Sequence, residues 1–160
     1  MFTMDDLFEI AIKMEKNGEA VYMDAIKKVT DKELAATLAW MAEEEASHGR
    51  WFADKKNRLS LEINEANLKE MVPRVLQDMM GEKTLSLSEV NFNEVTTVSQ
   101  LLDIFIGFEK DTIQFYELLE IFIEEETVLD GLKKIISEEK KHIETLHSRM
   151  ASLTGNPALT

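Results

Sequence analysis

All three histidines in this 160-residue chain follow a glutamate by three positions, and two of them, His48 and His142, also have related surroundings. They lie in the segments EEEASHGRW and SEEKKHIET, which begin at residues 43 and 137 and are therefore separated by 94 positions. If both segments are helical, side chains at i and i+3 point the same way, so Glu45 with His48 and Glu139 with His142 could each bind a metal ion. The pattern predicts two carboxylate–imidazole pairs of common origin.

The same spacing of 94 residues relates Glu15 to Glu109. It also relates pairs of other residue types, among them Lys16 and Lys110, Tyr22 and Tyr116, and Leu38 and Leu132. This indicates a duplicated helical hairpin. Glu15 and Glu45 are each 15 residues from Thr30, at the predicted turn. At the helical rise per residue, both lie about 22 Å from that turn. Each hairpin would thus present one Glu and one Glu-x-x-His at mid-height, facing the other hairpin.

Four segments with helical periodicity would position these residues. They cover residues 3–29, 31–59, 97–123 and 127–153. The start signals are Thr3 for the first, a capping box of Thr30 with Glu33 for the second, a box of Thr97 with Gln100 for the third, and Thr127 for the fourth. Residues 60–96 are too many for a tight turn, so we expect a crossover that contains a short extra helix.

Each predicted helix has one apolar stripe at heptad spacing, and charged residues interrupt every stripe at mid-height. Six polar residues occupy these predicted core positions: Glu15, Glu45, His48, Glu109, Glu139 and His142. Because burying an ionised carboxylate alone is costly, something must compensate these charges. The sequence predicts that a metal site does so.

The composition restricts the other possibilities. With 44% apolar and 31% charged residues, six Gly and two Pro, a single soluble helical domain over residues 1–160 is expected. The absence of cysteine excludes thiol catalysis and Cys-ligated metal sites, and the net charge of −13 disfavours nucleic acid and anionic membranes as partners. We expect a cytoplasmic protein, because no apolar run reaches the length of a membrane span and acids replace the basic residues of a secretory signal.

Four glutamates and two divalent ions balance to zero formal charge. Carboxylates can bridge two ions, so Glu45 and Glu139 are predicted to link the pair while one imidazole completes each side. Oxygen-rich ligands with one imidazole per ion suit iron or manganese, and the lack of thiolate disfavours a structural zinc site. Zinc would still bind by affinity alone, so the residues do not fix the metal.

Five other polar residues have a different setting. Tyr22 and Tyr116 lie seven positions after Glu15 and Glu109, so each could hydrogen-bond a ligand carboxylate or simply pack in the core. His147 is expected to be solvated or to cap a helix. Of the run that begins at Glu43, only the third residue has the phase of the inward stripe, so Glu43 and Glu44 are predicted to face solvent.

A glutamate on two helices and Glu-x-x-His on the other two resembles the ferritin-like di-iron carboxylate proteins. The resemblance covers nearly all of the four predicted helices and is strongest to rubrerythrin-type proteins. It implies an all-α, ferritin-like four-helix bundle of two pseudo-repeated antiparallel hairpins, with a crossover along the bundle. It also implies redox chemistry on O₂, peroxide or Fe(II) at a pair of iron ions.

The chain departs from these relatives at particular positions. Rubrerythrins have a further glutamate where this chain has Thr112, and they commonly add a Cys-ligated rubredoxin module, which needs cysteines that this sequence lacks. Bacterioferritins have the same six ligands, but a haem-binding methionine follows their second-helix glutamate, where this chain has Ala46.

The sequence therefore favours a non-haem di-iron or di-manganese oxidoreductase that reduces peroxide or O₂ or oxidises Fe(II) with an external electron-donor protein. Two alternatives stay open: a protein that binds iron or manganese without turnover, and a helical interaction module with a structural metal pair. The third predicted helix is apolar beyond its inward stripe, at Ile104, Ile106, Phe108, Ile113, Phe115 and Ile121. We expect the crossover or a second chain to cover it, and a homodimer is the favoured assembly.

Overall fold

The computed structural model describes residues 4–56, 87 and 90–160. These residues form four long helices, which are α1 (Met4–Ile26), α2 (Lys32–Lys56), α3 (Val98–Phe122) and α4 (Glu126–Ser152). A short 3-10 helix, Phe92–Glu94, precedes α3. Within the described part of the chain, the extended pairing is an isolated bridge between Thr97 and Ala158. The prediction of an all-α fold is confirmed.

Contacts between the helices give their directions. At its start, α1 pairs with the end of α2 through Glu9 and Lys56. The start of α2 pairs with the end of α4, where Glu33 Oε2 lies 2.8 Å from Arg149 Nη1. The helices α1 and α3 are also antiparallel, because Tyr22 contacts Glu109 while Glu15, earlier in α1, contacts Tyr116, later in α3. It follows that α2 and α3 run the same way, as a crossover connection requires. Most of the predicted crossover, including its short helix, lies outside the described residues.

The predicted start of α3 is confirmed. Thr97 accepts a hydrogen bond from the Gln100 backbone N–H through its side chain, and the Gln100 side chain accepts from the Thr97 backbone. This reciprocal capping box satisfies two N–H groups that the first turn of a helix leaves without partners.

The predicted caps of α2 and α4 are wrong. Asp31, not Thr30, caps α2, because its Oδ1 accepts the Leu34 N–H at 2.9 Å. The fourth helix starts at Glu126, so Thr127 lies within its first turn, and Glu125 stands at the N-cap without a side-chain capping bond. Both errors are shifts of one or two residues, which do not change the inward face of either helix. Thr3 and the predicted end of the second helix lie outside the described residues.

Two apolar clusters fill the bundle on either side of a polar layer. One cluster contains, among others, Phe8, Phe52, Phe115, Leu119 and Leu132. The other contains, among others, Leu38, Met41, Leu102, Phe105 and Leu146. The inward stripes that the heptad spacing predicts supply most of these side chains. The polar layer is therefore enclosed by apolar groups at both ends.

The additional apolar residues of α3 are mostly buried. Ile106, Phe108, Ile113 and Phe115 are all buried, whereas Ile121 is 64% exposed. Burial of these side chains removes part of the reason for expecting a second chain, and the homodimer stays a prediction. No helix within the described ranges is long and apolar enough to cross a membrane.

Candidate metal centre

All six predicted core-facing polar residues meet in the layer between the two clusters. None of them exposes more than 3% of its surface. Their positions are Glu15 on α1, Glu45 and His48 on α2, Glu109 on α3, and Glu139 and His142 on α4. Every helix of the bundle thus contributes at least one carboxylate to a single site.

The six residues form two groups that share members. Glu15, Glu45, His48 and Glu139 place one ligand-type atom each within 4.8 Å of one another, and so do Glu45, Glu109, Glu139 and His142. Glu45 and Glu139 belong to both groups, so they lie between the two positions that metal ions would occupy. Each group has three carboxylates and one imidazole, which is a donor set suited to iron or manganese.

Both imidazoles direct Nδ1 into the layer of carboxylates. His48 Nδ1 lies 2.8 Å from Glu139 Oε1 and 3.7 Å from Glu15 Oε1. His142 Nδ1 lies 3.1 Å from Glu139 Oε2 and 3.2 Å from Glu45 Oε1. In both histidines Nδ1 is the nitrogen that faces the carboxylates. The two halves that the 94-residue repeat relates therefore have matching geometry at the site.

Two buried tyrosines link α1 and α3 across the site. The Tyr22 hydroxyl donates to Glu109 Oε1 at 2.5 Å, and the Tyr116 hydroxyl donates to Glu15 Oε1. Each tyrosine therefore contacts the glutamate of the other repeat, not the one seven residues before it. Burial raises the pKa of both tyrosines well above the usual value, and the nearby carboxylates raise it further. The hydroxyls consequently stay protonated and act as donors.

Glu44 and Glu138 are residues of the site that the sequence reasoning missed. Glu138 Oε2 lies 2.7 Å from His48 Nε2, and Glu44 Oε2 lies 3.0 Å from His142 Nε2. Their side chains are only 25% and 26% exposed, so the prediction that Glu44 faces solvent is wrong. It fails because the boundary between α2 and α4 covers this side chain. A usable signal was present: each residue directly precedes a shared glutamate, and 94 positions separate them.

The electrostatics of the metal-free site explain why it would attract cations. Burial raises the pKa of Glu45 well above its usual value, and repulsion from Glu109, Glu139 and Glu15 raises it further. Burial and the charge of Glu139 raise the pKa of Glu109 to about 8. Several carboxylates in one apolar volume cannot all ionise without a compensating charge.

Glu139 differs from Glu45 and Glu109, because its pKa is lowered although it is equally buried. Burial would raise its pKa, but hydrogen bonds with Glu109, His142 and His48 outweigh burial and lower it. For the two histidines burial acts to lower the pKa, yet hydrogen bonds to carboxylates raise it to about 11. The positive charge of the two imidazolium groups therefore offsets part of the negative charge of the carboxylates.

Unpartnered carboxylate oxygens show that the residues fit a pair of metal ions. Glu15 Oε2, Glu109 Oε2 and both Glu45 oxygens are buried and accept no hydrogen bond, although Glu45 Oε1 has an ion-pair contact with His142 Nδ1. In Glu15 and Glu109 the other oxygen is the one that accepts the tyrosine hydroxyl. Buried polar atoms of this kind need a partner, and a cation would supply one to each.

Gly18 makes room for this arrangement. A Cβ at this position would lie 3.2 Å from Glu45 Oε2 and 3.2 Å from a ring carbon of Phe108. The corresponding residue of the second repeat, Thr112, is buried, and its hydroxyl donates to the Phe108 carbonyl within α3. Thr112 therefore offers no ligand, and the exposed His147 lies outside both groups, as expected.

Comparisons with known proteins agree with this fold. The family model of rubrerythrin matches residues 6–150. A Thermotoga maritima crystal structure described as that of a ferritin-like diiron-carboxylate protein superposes with a TM-score of 0.74 at 22% identity, over 96% of this chain and 97% of that chain. At this identity the likeness shows the fold alone, which is a ferritin-like four-helix bundle. No protein of curated function matches the sequence.

Proposed function

Because this chain belongs to the rubrerythrin family, we propose that its buried cluster binds two iron ions and serves a non-haem oxidoreductase. The substrates we propose are peroxide or O₂ as oxidants, or Fe(II) as the species oxidised. The two groups that share Glu45 and Glu139 carry this proposal, because the shared carboxylates would hold two ions side by side. Manganese is the other metal that this donor set suits.

The proposed roles of the ligands follow from their contacts. Glu45 and Glu139 would each bind both ions, since they belong to both groups. Glu15 with His48 would complete one coordination sphere, and Glu109 with the second imidazole the other. When bound, a pair of redox-active ions would supply the electrons that reduce an O–O bond, and the external donor would return those electrons to the ions. The protein supplies the negative charge that balances those ions in a volume closed by apolar clusters.

The tyrosines hold the terminal carboxylates in place. Tyr116 occupies Oε1 of Glu15 and Tyr22 occupies Oε1 of Glu109, so in each glutamate Oε2 is the atom left to bind an ion. Because burial keeps each hydroxyl protonated, it remains a hydrogen-bond donor to its terminal glutamate. Glu15 and Glu109 would therefore each help to hold one ion, and Glu45 and Glu139 would help to hold both.

The proposed reaction needs electrons from outside the chain. These 160 residues contain no cysteine, so they hold no Cys-ligated cluster to deliver electrons. We therefore propose a separate electron-donor protein as partner, and a cytoplasmic setting in which such a donor operates.

A turnover measurement with defined metal tests this function. The protein would be loaded anaerobically with Fe(II), supplied with an electron donor, and assayed separately for consumption of peroxide and of O₂. Many turnovers per site are expected, with none in Glu45→Ala and unchanged rates in Glu43→Ala, which alters an exposed residue of the same acidic run. Two tightly bound ions without turnover would contradict the oxidoreductase and leave metal sequestration. Failure to bind two ions would contradict the site itself.

A further inference from the structure

Trp40 lies on an exposed part of α2 and covers one of the site histidines. Its ring meets the imidazole of His142 edge to face, with 5.1 Å between the ring centroids and 83° between the ring planes. The imidazole is completely buried, whereas Trp40 is 38% exposed. A single contact between two aromatic rings therefore connects the protein surface with a proposed metal ligand.

The corresponding position of the second repeat holds a different kind of residue. The residue 94 positions after Trp40 is Lys134 on α4, whose Nζ lies 4.0 Å from Glu138 Oε1. The lysine side chain is 79% exposed, carries a positive charge and has no aromatic ring. The two proposed metal positions therefore have matching ligands but differ in what connects each of them with the surface.

We propose that Trp40 is the residue through which electrons enter the site. They would pass from the surface through the indole to the imidazole of His142, and on to the ion that Glu109 and His142 would hold. This inference rests on the proposed function, which needs an external electron donor. Electron transfer slows steeply with the gap that the electron must cross, so two rings in contact favour this route. The indole itself is neither oxidised nor reduced and only provides the path.

The surroundings of Trp40 indicate the class of donor that fits. Ala36 and Ala39 beside it are small and exposed, so they leave the indole accessible, and the exposed Glu43 adds negative charge one turn later. Tryptophan is enriched among the residues that dominate protein–protein interfaces, and the face of an indole attracts cations. With a net charge of −13 on the chain, we expect a one-electron donor whose contact region is positively charged.

The radical cation of methyl viologen is a suitable probe, because it is planar, positively charged and gives up one electron. The protein would be loaded anaerobically with Fe(II), oxidised with peroxide and mixed with the radical in a stopped-flow instrument. Two radical cations give one electron each to the two ferric ions and leave as dications, so the loss of viologen colour counts the electrons. Trp40→Leu should lose the fast phase of this reduction, whereas Trp40→Phe, which keeps a ring, should retain most of it.

Trp51→Leu is the matched control for loss of an indole. Trp51 is the other tryptophan of the chain and lies about three turns later on α2. It packs against Phe52, and its ring lies over Gly131. Reduction of this variant should keep the fast phase of the wild type.

Two further measurements separate electron entry from a structural role of Trp40. In Trp40→Leu, the iron content should stay at two ions, and oxidation of the reduced protein by peroxide should proceed at the wild-type rate. The other measurement is NMR of the two indole N–H signals of Zn(II)-loaded wild type during titration with the methyl viologen dication. The Trp40 signal should shift, and the Trp51 signal should shift much less.

Several results would overturn the inference. They are a wild-type fast phase in Trp40→Leu, equal slowing of reduction and of oxidation in that variant, and a viologen titration that leaves the Trp40 signal in place. Because the titration uses wild-type protein, it decides the matter even if Trp40→Leu loses its iron. A wild type that fails to bind two iron ions, or whose ferric ions viologen does not reduce, would instead contradict the proposed function, so the two failures are distinguishable.

Discussion

Removing the metal ions should lower the melting temperature of this protein substantially. Without cations, the folded state confines four glutamates and two histidines to one buried layer, and four carboxylate oxygens there have no hydrogen-bond partner. The protein can reduce the repulsion among these carboxylates by keeping a proton on Glu109, whose pKa is raised from 4.5 to about 8. Holding that proton at pH 7, against a normal pKa of 4.5, costs about 3 kcal/mol.

The stabilisation of the folded state by bound metal can also be estimated from ligand linkage, and it has a similar magnitude. Two ions at free concentrations of about 100 times their dissociation constants would together stabilise the folded state by about 5 kcal/mol. For a chain of this size each kcal/mol corresponds to about 2–4 °C in melting temperature. We therefore expect metal removal to lower the melting temperature by about 10 °C, and Fe(II) or Mn(II) to restore it.

The assay is thermal unfolding followed by circular dichroism at pH 7, on chelator-treated protein before and after anaerobic addition of metal. Glu45→Ala is the control, because a protein that has lost a shared ligand should gain much less from added metal. Identical melting curves for metal-free and metal-loaded wild type would refute the reasoning. A gain in Glu45→Ala as large as that in wild type would do so as well.

Other outcomes follow from the same geometry. Glu45→Ala and Glu139→Ala should each retain at most one loosely held ion, whereas replacing either site histidine should have a milder effect and His147→Ala should keep both ions. Metal analysis and the near-ultraviolet absorption of Fe(III) measure this, and two ions retained in both glutamate variants would contradict it. The free energy of unfolding of the metal-free protein should fall as pH rises from about 4.5 to 8, because the folded state holds the Glu109 proton that the unfolded state releases. Denaturant titrations at pH 5.5 and 8 test this, and greater stability at pH 8 would contradict the prediction. Light scattering at micromolar concentration should show a homodimer, and a monodisperse monomer would contradict that assembly.

The six core-facing polar residues of the site could be predicted, because the periodicity of a single helix determines which of its residues face the core. Charged residues on an apolar heptad stripe place Glu15 and Glu45 in the core, and the 94-residue repeat places Glu109 and Glu139 opposite them. A helix start is less sharply encoded, since Thr30 and Asp31 are both good caps and only the hydrogen bond to the Leu34 N–H decides between them.

Helical phase alone could not predict the contacts of Glu44 and Glu138, because these contacts depend on how two helices meet. Glu44 lies one position from the inward stripe, where phase alone cannot distinguish a solvated side chain from one that reaches across to α4. The pKa of Glu139 is a similar case. Burial and crowding, which a sequence suggests, would raise it, but the two histidine contacts that lower it exist only in the assembled bundle.

Because the site is built from a duplicated hairpin, each group of ligands needs residues from both hairpins. The first group takes Glu15, Glu45 and His48 from the first hairpin but needs Glu139 from the second, and the other group needs Glu45 in return. Neither hairpin alone contains a complete set of ligands for one ion. An ion at one position would also order both shared carboxylates for the other, so we expect the two ions to bind with positive cooperativity. Metal binding and packing of the hairpins are then one equilibrium, and whatever loosens the contact between α2 and α4 should weaken both positions together.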